Sequence, residues 1–241
     1  MRTATTVTTV WPDATALAHA AAHLIVDISN KAVQQKGYCS IALSGGSTPK
    51  LLFSLLATAP YKNNIPWKKI YFAFGDERFV PPTSDDSNYK MAMDSMLSLV
   101  PVPKKNILAV ETVKLKPEQS AKHYENELSK FITKKHPFDL VLLGIGEEGH
   151  TASIFPNSPL LEDKKKVRST WVEEKQMQRI SFTLSFINQA KQVAFLVSGA
   201  GKAAILKTLK SAKGKKLPAA RVQATKTTYW FLDEAAANLG V

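Results

Sequence analysis

Four short apolar runs, Tyr38 to Leu43, Ile70 to Phe74, Phe138 to Leu143 and Val193 to Val197, each break off into a polar, glycine-bearing turn. Runs that are apolar throughout belong to strands buried on both faces, and such strands occur in parallel sheets covered by helices on either side. The intervening segments supply those helices. Pro12 and Asp13 open an apolar period carried by Leu17, Ala21, Leu24, Ile25, Ile28 and Ala32 and stopped by Gly37. Leu51, Leu52, Leu55 and Leu56 resume that spacing after the first turn, and Ala203 to Leu209 after the last. Thr5 to Trp11 and Tyr229 to Leu232 read as further strands, and Ala235 to Leu239 as a short closing helix. The pattern predicts an α/β fold, a mostly parallel sheet with helices on both faces. With no internal repeat and no Pro/Gly/Ser-rich linker, residues 1–241 read as a single domain.

Composition narrows the function classes. At 44% hydrophobic and 22% charged over 241 residues, the chain has enough apolar material for a core. Lys+Arg 32 against Asp+Glu 20 leaves a net charge of +12, which suits anionic partners. Much of the excess lies in Lys164, Lys165 and Lys166 and in Lys213, Lys215 and Lys216. These read as solvated loops, and without aromatic interleaving or zinc-finger spacing beside them no nucleic-acid partner is expected. No run approaches the roughly 20 apolar residues of a membrane span, and the first residues lack the apolar segment of a secretory signal. A lone Cys39 excludes a disulfide framework within the chain and a thiolate zinc site, and favours a reducing, cytoplasmic setting.

In a parallel sheet the ligand sits beyond the carboxyl ends of the strands, so the turns at Ser44, Asp76, Gly144 and Ser198 are expected to meet. Ser44-Gly45-Gly46-Ser47-Thr48 offers close backbone approach, hydroxyls and a helix N-terminus, the requirements of a phosphate site. It is equally compatible with a plain sharp turn in which Ser47 or Thr48 caps the helix. Gly199-Ala200-Gly201-Lys202 is no Walker motif, because Leu196 and Ala203 stand where Gly and Ser or Thr would be needed. Lys202 at a strand-to-helix junction is either an anion ligand or a surface lysine. Asp76-Glu77-Arg78 places three charges behind an apolar strand, and Glu77 is expected to form a structural salt bridge.

Gly146-Glu147-Glu148-Gly149-His150-Thr151 carries the most chemistry. A histidine titrates near neutrality, and an adjacent carboxylate can orient it as a proton acceptor. His19 and His23, spaced i, i+4, suggest no third metal ligand and read as a polar helix face, while His123 and His136 read as exposed. No serine sits in a Gly-x-Ser-x-Gly elbow. No metal or cofactor is expected.

Taken in order, these segments resemble the 6-phosphogluconolactonase family. The resemblance rests on Ser44 to Pro49, on Gly75-Asp76-Glu77-Arg78-Phe79-Val80-Pro81 with Ser87-Asn88-Tyr89, and on Leu143 to Pro156. It continues through Arg179-Ile180-Ser181-Phe182-Thr183, Gly199 to Lys202, and Trp230-Phe231-Leu232-Asp233. It implies a Rossmann-like fold related to glucosamine-6-phosphate deaminase and ribose-5-phosphate isomerase. The implied reaction is cofactor-free hydrolysis of 6-phospho-D-glucono-1,5-lactone to 6-phosphogluconate, and a monomer or weak homo-oligomer is expected. By the same resemblance Ser44, Gly45, Gly46, Ser47, Thr48, Arg78, Arg179 and Lys202 surround the phosphate. His150 activates water, with Asp76 and Glu148 as the other catalytic positions. Relatives usually carry Asp where this chain has Glu148.

Deaminase or isomerase chemistry is the nearest alternative. It is expected with Met-Asp-Glu-Tyr and Gly-His-Ile-Ala-Phe-Asn-Glu, where this chain reads Gly75-Asp76-Glu77-Arg78 and Gly149-His150-Thr151-Ala152-Ser153-Ile154-Phe155. A non-catalytic sugar-phosphate sensor would need a DNA-binding module, for which no room is expected before Thr5 or after Leu239.

Overall fold

A computed structural model describes residues 4–237 of the chain. Its main sheet has the strand order β1 (Thr5–Trp11), β9 (Thr227–Asp233), β8 (Gln192–Val197), β5 (Leu140–Leu143), β2 (Cys39–Leu43), β3 (Ile70–Phe74). Every neighbouring pair in it is parallel. Side chains alternate between two apolar layers, as strands buried on both faces require. Ile41, Leu43, Leu140, Leu142 and Leu196 join Leu17 and Ile25 of α1 (Ala14–Lys36) and Leu52 of α2 (Ser47–Leu56). Val141, Leu143, Val193 and Phe195 pack on the other side with Tyr124 and Leu128 of α3 (Pro117–Ser129) and Ile205 of α4 (Ala203–Leu209). Asp13 opens α1 as its spacing suggested, accepting a hydrogen bond from the Ala16 N–H at 2.8 Å.

Strand order fixes the position of the crevice. β2 lies between β3, which follows it in sequence, and β5, which arrives much later on its opposite side. The loops leaving β2 and β5 therefore diverge, opening a gap at the carboxyl edge of the sheet.

A second sheet was not legible in the sequence. β4 (Asp76–Arg78), β7 (Met177–Phe182) and β6 (Val167–Val172) form an antiparallel sheet in that order. Asp76-Glu77-Arg78, read as a turn, is thus a strand, and Gly75 joins the two sheets. Its N–H donates to Leu43 C=O at 2.9 Å, and its C=O accepts from Phe182 N–H at 2.8 Å. The second correction concerns Lys166, which is no solvated loop residue: it is half-buried and donates to Ser129 Oγ and the Ile132 carbonyl. The closing helix spans Glu234–Ala237, and Asn238 and Leu239 lie outside the described residues. Among the described residues no helix is long and apolar enough to cross a membrane.

At the opposite edge of the sheet, Asp139 is 2% exposed and ion-paired to Lys36 and Lys191, each at 2.8 Å. It also accepts from the Ser40 N–H and hydroxyl. Burial alone would raise its pKa, but the two ammonium groups and the Ser40 N–H outweigh that and hold it below the usual carboxylate value. Asp139→Ala leaves two part-buried ammonium groups unpaired and is expected to cost about 3 kcal/mol or more at pH 7. Because the folded-state pKa is depressed, this stabilisation is complete above the unfolded pKa of about 3.9 and disappears as pH falls through the folded value. Urea titrations at pH 7 and pH 3 should therefore show a wild-type advantage that shrinks in acid.

Candidate active site

The crevice holds a cleft of about 340 Å³. From the sequence-derived set, Ser44, Gly45 and Gly46 enter it from the turn after β2, and Asp76 and Arg78 from β4. Glu148 and His150 come from the turn after β5, Arg179 from β7, and Lys202 from the turn after β8. Ser47 and Thr48 do not line it. They begin α2, where Gly46 is the N-cap, so neither caps the helix, and the Thr48 hydroxyl meets Ser198 Oγ at 2.7 Å.

The antiparallel sheet explains the charge pattern. Arg78 and Arg179 are directly paired across β4 and β7, as are Asp76 and Ser181, so all four side chains share one face. Glu77, paired with Ile180, points to the other. Two like charges directly opposite each other are destabilising unless something lies between or beside them. Arg78 donates to the Asp86 carbonyl at 2.6 Å, and among the described residues the ion pair of Arg179 is with Asp76, at 3.9 Å. The Nε of each guanidinium is buried and has no hydrogen-bond partner among the described residues. Burial, with Arg78 beside it, draws the Arg179 pKa down against the pull of Asp76. This is a site that an anion would stabilise.

Glu77 forms no salt bridge among the described residues, contrary to the sequence reading. It is 2% exposed and accepts from the N–H groups of Arg78, Asn88 and Tyr89 and from the Ser87 hydroxyl. Burial raises its pKa while those N–H donors oppose the rise. Its function is to tie β4 to the short helix Asn88–Ala92. Asn88 then reaches back, donating to the Asp76 carbonyl at 2.9 Å, and its Oδ1 lies where a Cβ on Gly45 would fall, 2.0 Å away. Glycine is therefore required at Gly45 by this close approach. Asp76 is fixed on its other side by the Ser153 hydroxyl at 2.6 Å.

His150 Nδ1 lies 2.9 Å from Glu148 Oε2. Burial would raise the Glu148 pKa, but its own backbone N–H and the His150 ring bring it below the usual value, so it is an ionised acceptor. The shared proton then belongs to Nδ1, leaving the lone pair on Nε2. Burial lowers the His150 pKa although Glu148 and Asp76 favour the charged ring. A neutral imidazole with a free Nε2 is a proton acceptor at neutral pH. Sequence reasoning assigned no site role to Asn88, Phe155 or Lys175, which also line the cleft. The alternation in Arg179-Ile180-Ser181-Phe182 was the one local signal for the hairpin that presents Lys175.

Sheet, crevice and cleft together define a Rossmann-like α/β enzyme fold with an anion-compatible site. The model of the family described as glucosamine-6-phosphate isomerases/6-phosphogluconolactonase matches residues 12–230. A 6-phosphogluconolactonase of Synechocystis is 40% identical over 212 residues, 86% of this chain and 86% of the relative. One from Nostoc is 39% identical over 233 residues, 94% of this chain and 95% of its own. The solved 6-phosphogluconolactonase of Trypanosoma brucei superposes with a TM-score of 0.85 at 29% identity, covering 99% of this chain and 100% of that one. The chain belongs to the glucosamine-6-phosphate isomerase/6-phosphogluconolactonase family.

Proposed function

We propose that this chain hydrolyses 6-phospho-D-glucono-1,5-lactone to 6-phospho-D-gluconate, the activity for which its curated relatives are named. The observation that carries the reading is one cleft holding both the opposed Arg78–Arg179 pair and the Glu148–His150 couple. The arginines, Lys202 and the Ser44–Gly46 turn suit a phosphate dianion. With the phosphate held, the lactone carbonyl is positioned for attack. His150 Nε2 takes a proton from water as its oxygen bonds to C1. The tetrahedral intermediate then collapses, the bond from C1 to the ring oxygen breaks, and the imidazolium returns the proton to that oxygen. Glu148 stabilises the transient imidazolium. A δ-lactone is already an activated ester, so the scheme calls on no metal. Activity is expected to persist after exhaustive chelation; loss with EDTA and recovery with a single divalent ion would overturn this.

The lone cysteine supports a cytoplasmic setting, and a sizing column run beside the assay is expected to return a monomer or weak homo-oligomer. The decisive assay couples 6-phosphogluconate formation to an NADP-dependent dehydrogenase and subtracts spontaneous hydrolysis. Acceleration above that background is expected, with no ammonia released from glucosamine 6-phosphate. The opposite pair of results would reverse the assignment.

A further inference from the structure

We infer that Phe155 is a positioning residue for the general base, forming with Gly146 a slot that sets the plane of the His150 ring and the direction of Nε2. The inference rests on the reading of His150 as that base. The Phe155 ring lies over the imidazole with centroids 4.1 Å apart and planes inclined by 21°. Phe155 is 9% exposed, so it is held by its surroundings and does not follow the histidine.

Gly146 supplies the other wall. A Cβ built there would lie 2.0 Å from both Cε1 and Nδ1 and 2.7 Å from Nε2 of His150. Those three distances place it above the plane of the ring instead of beyond its edge. Phe155 already fills one face at stacking distance, so the Gly146 backbone backs the other. The Gly146 N–H also donates to the His150 carbonyl at 2.9 Å, closing the turn that carries the ring. Glu148 then holds Nδ1 along the edge at 2.9 Å. Two faces and one edge are occupied, and the exit left for the lone pair is through Nε2. Rotation of the ring about its own axis is blocked by contact on both faces, which a hydrogen bond to Nδ1 alone would not achieve.

Such a slot acts on the alignment of proton transfer and not on substrate affinity, because none of its walls carries charge. Misplacement of a reacting group by about 1 Å can cost as much as 10²-fold. Phe155→Leu keeps apolar bulk but removes the flat face. It is expected to lower kcat about 10-fold or more, while KM and the Kd of 6-phosphogluconate change by less than about two-fold, a split that marks loss of a transition-state interaction. Phe155→Tyr, which keeps the face, should recover most of kcat. Gly146→Ala, at a position with no left-handed backbone to strain, should push the ring aside and give the same kcat loss with Phe155 in place.

Undiminished kcat in Phe155→Leu, or loss of kcat and product affinity together, would overturn the proposal. Should that variant not fold, Gly146→Ala reads the same slot, and unchanged kcat there has the same meaning. His150→Ala run alongside separates the two readings. If it retains turnover, the base assignment itself is wrong; if it collapses while both slot variants stay active, only the positioning role is lost.

Discussion

His150→Ala is expected to lower kcat by about 100-fold or more, the usual contribution of a positioned acid or base, while leaving the fold and the Kd of 6-phosphogluconate close to wild type. The side chain is partly exposed, and the backbone bonds of Gly146 to the His150 carbonyl and the Gly149 N–H do not depend on it. A companion result is expected in the pH profile. The working form is the neutral ring, so activity falls as the ring gains a proton in acid. Burial lowers the His150 pKa, and kcat/KM should therefore fall on the acid side with an apparent pKa below the usual value of about 6.5. An acid limb well above that value would mean that Glu148 and Asp76 dominate the ring and that it is charged in the resting enzyme. Turnover in His150→Ala equal to wild type, measured above spontaneous hydrolysis, would remove the residue from the mechanism.

What the sequence disclosed, and what it hid, follow from the range of the interactions. The four apolar strands and their turns are local patterns, each complete within a few residues, and the carboxyl-edge rule then brings Ser44, Glu148, His150 and Lys202 together without any tertiary information. Arg78 and Arg179 were named through the resemblance, but their direct pairing was invisible. It depends on β4 meeting β7 about a hundred residues later, and β4 has three charged residues and no apolar alternation of its own. Glu77 misled for the same reason: a charge behind an apolar strand suggests an ionic partner, whereas three backbone N–H groups of a neighbouring segment serve instead. Gly45 and Gly146 are the complementary case. Each reads as a turn glycine, and only the fold shows that Asn88 and the His150 ring occupy the space a side chain would need.

Arg179→Ala separates binding from chemistry. The phosphate does not react, so contacts to it are present in the ground state and the transition state alike, and removing one should act mainly on KM. A lost hydrogen bond to a charged group is worth about 1.5–3 kcal/mol, or roughly 10- to 150-fold in the affinity for both substrate and 6-phosphogluconate at about 1.4 kcal/mol per tenfold. Stability is not expected to fall in proportion. Among the described residues the one ion pair of Arg179 is the 3.9 Å contact to Asp76, with Glu77 and Asp86 as more distant favourable charges, and its removal relieves the repulsion from Arg78 opposite it. The thermal midpoint should stay within a few degrees of wild type. kcat at saturation should decline far less than KM rises, because Arg78, Lys202 and the Ser44–Gly46 turn still hold the phosphate and, through it, the lactone carbonyl. The deciding comparison uses unphosphorylated glucono-1,5-lactone, which the wild type should turn over poorly and which Arg179→Ala should handle no worse. Should both substrates lose the same factor, Arg179 would be acting on the ring or through Asp76, and the phosphate would have to be assigned to Lys202 and the Ser44–Gly46 turn without it.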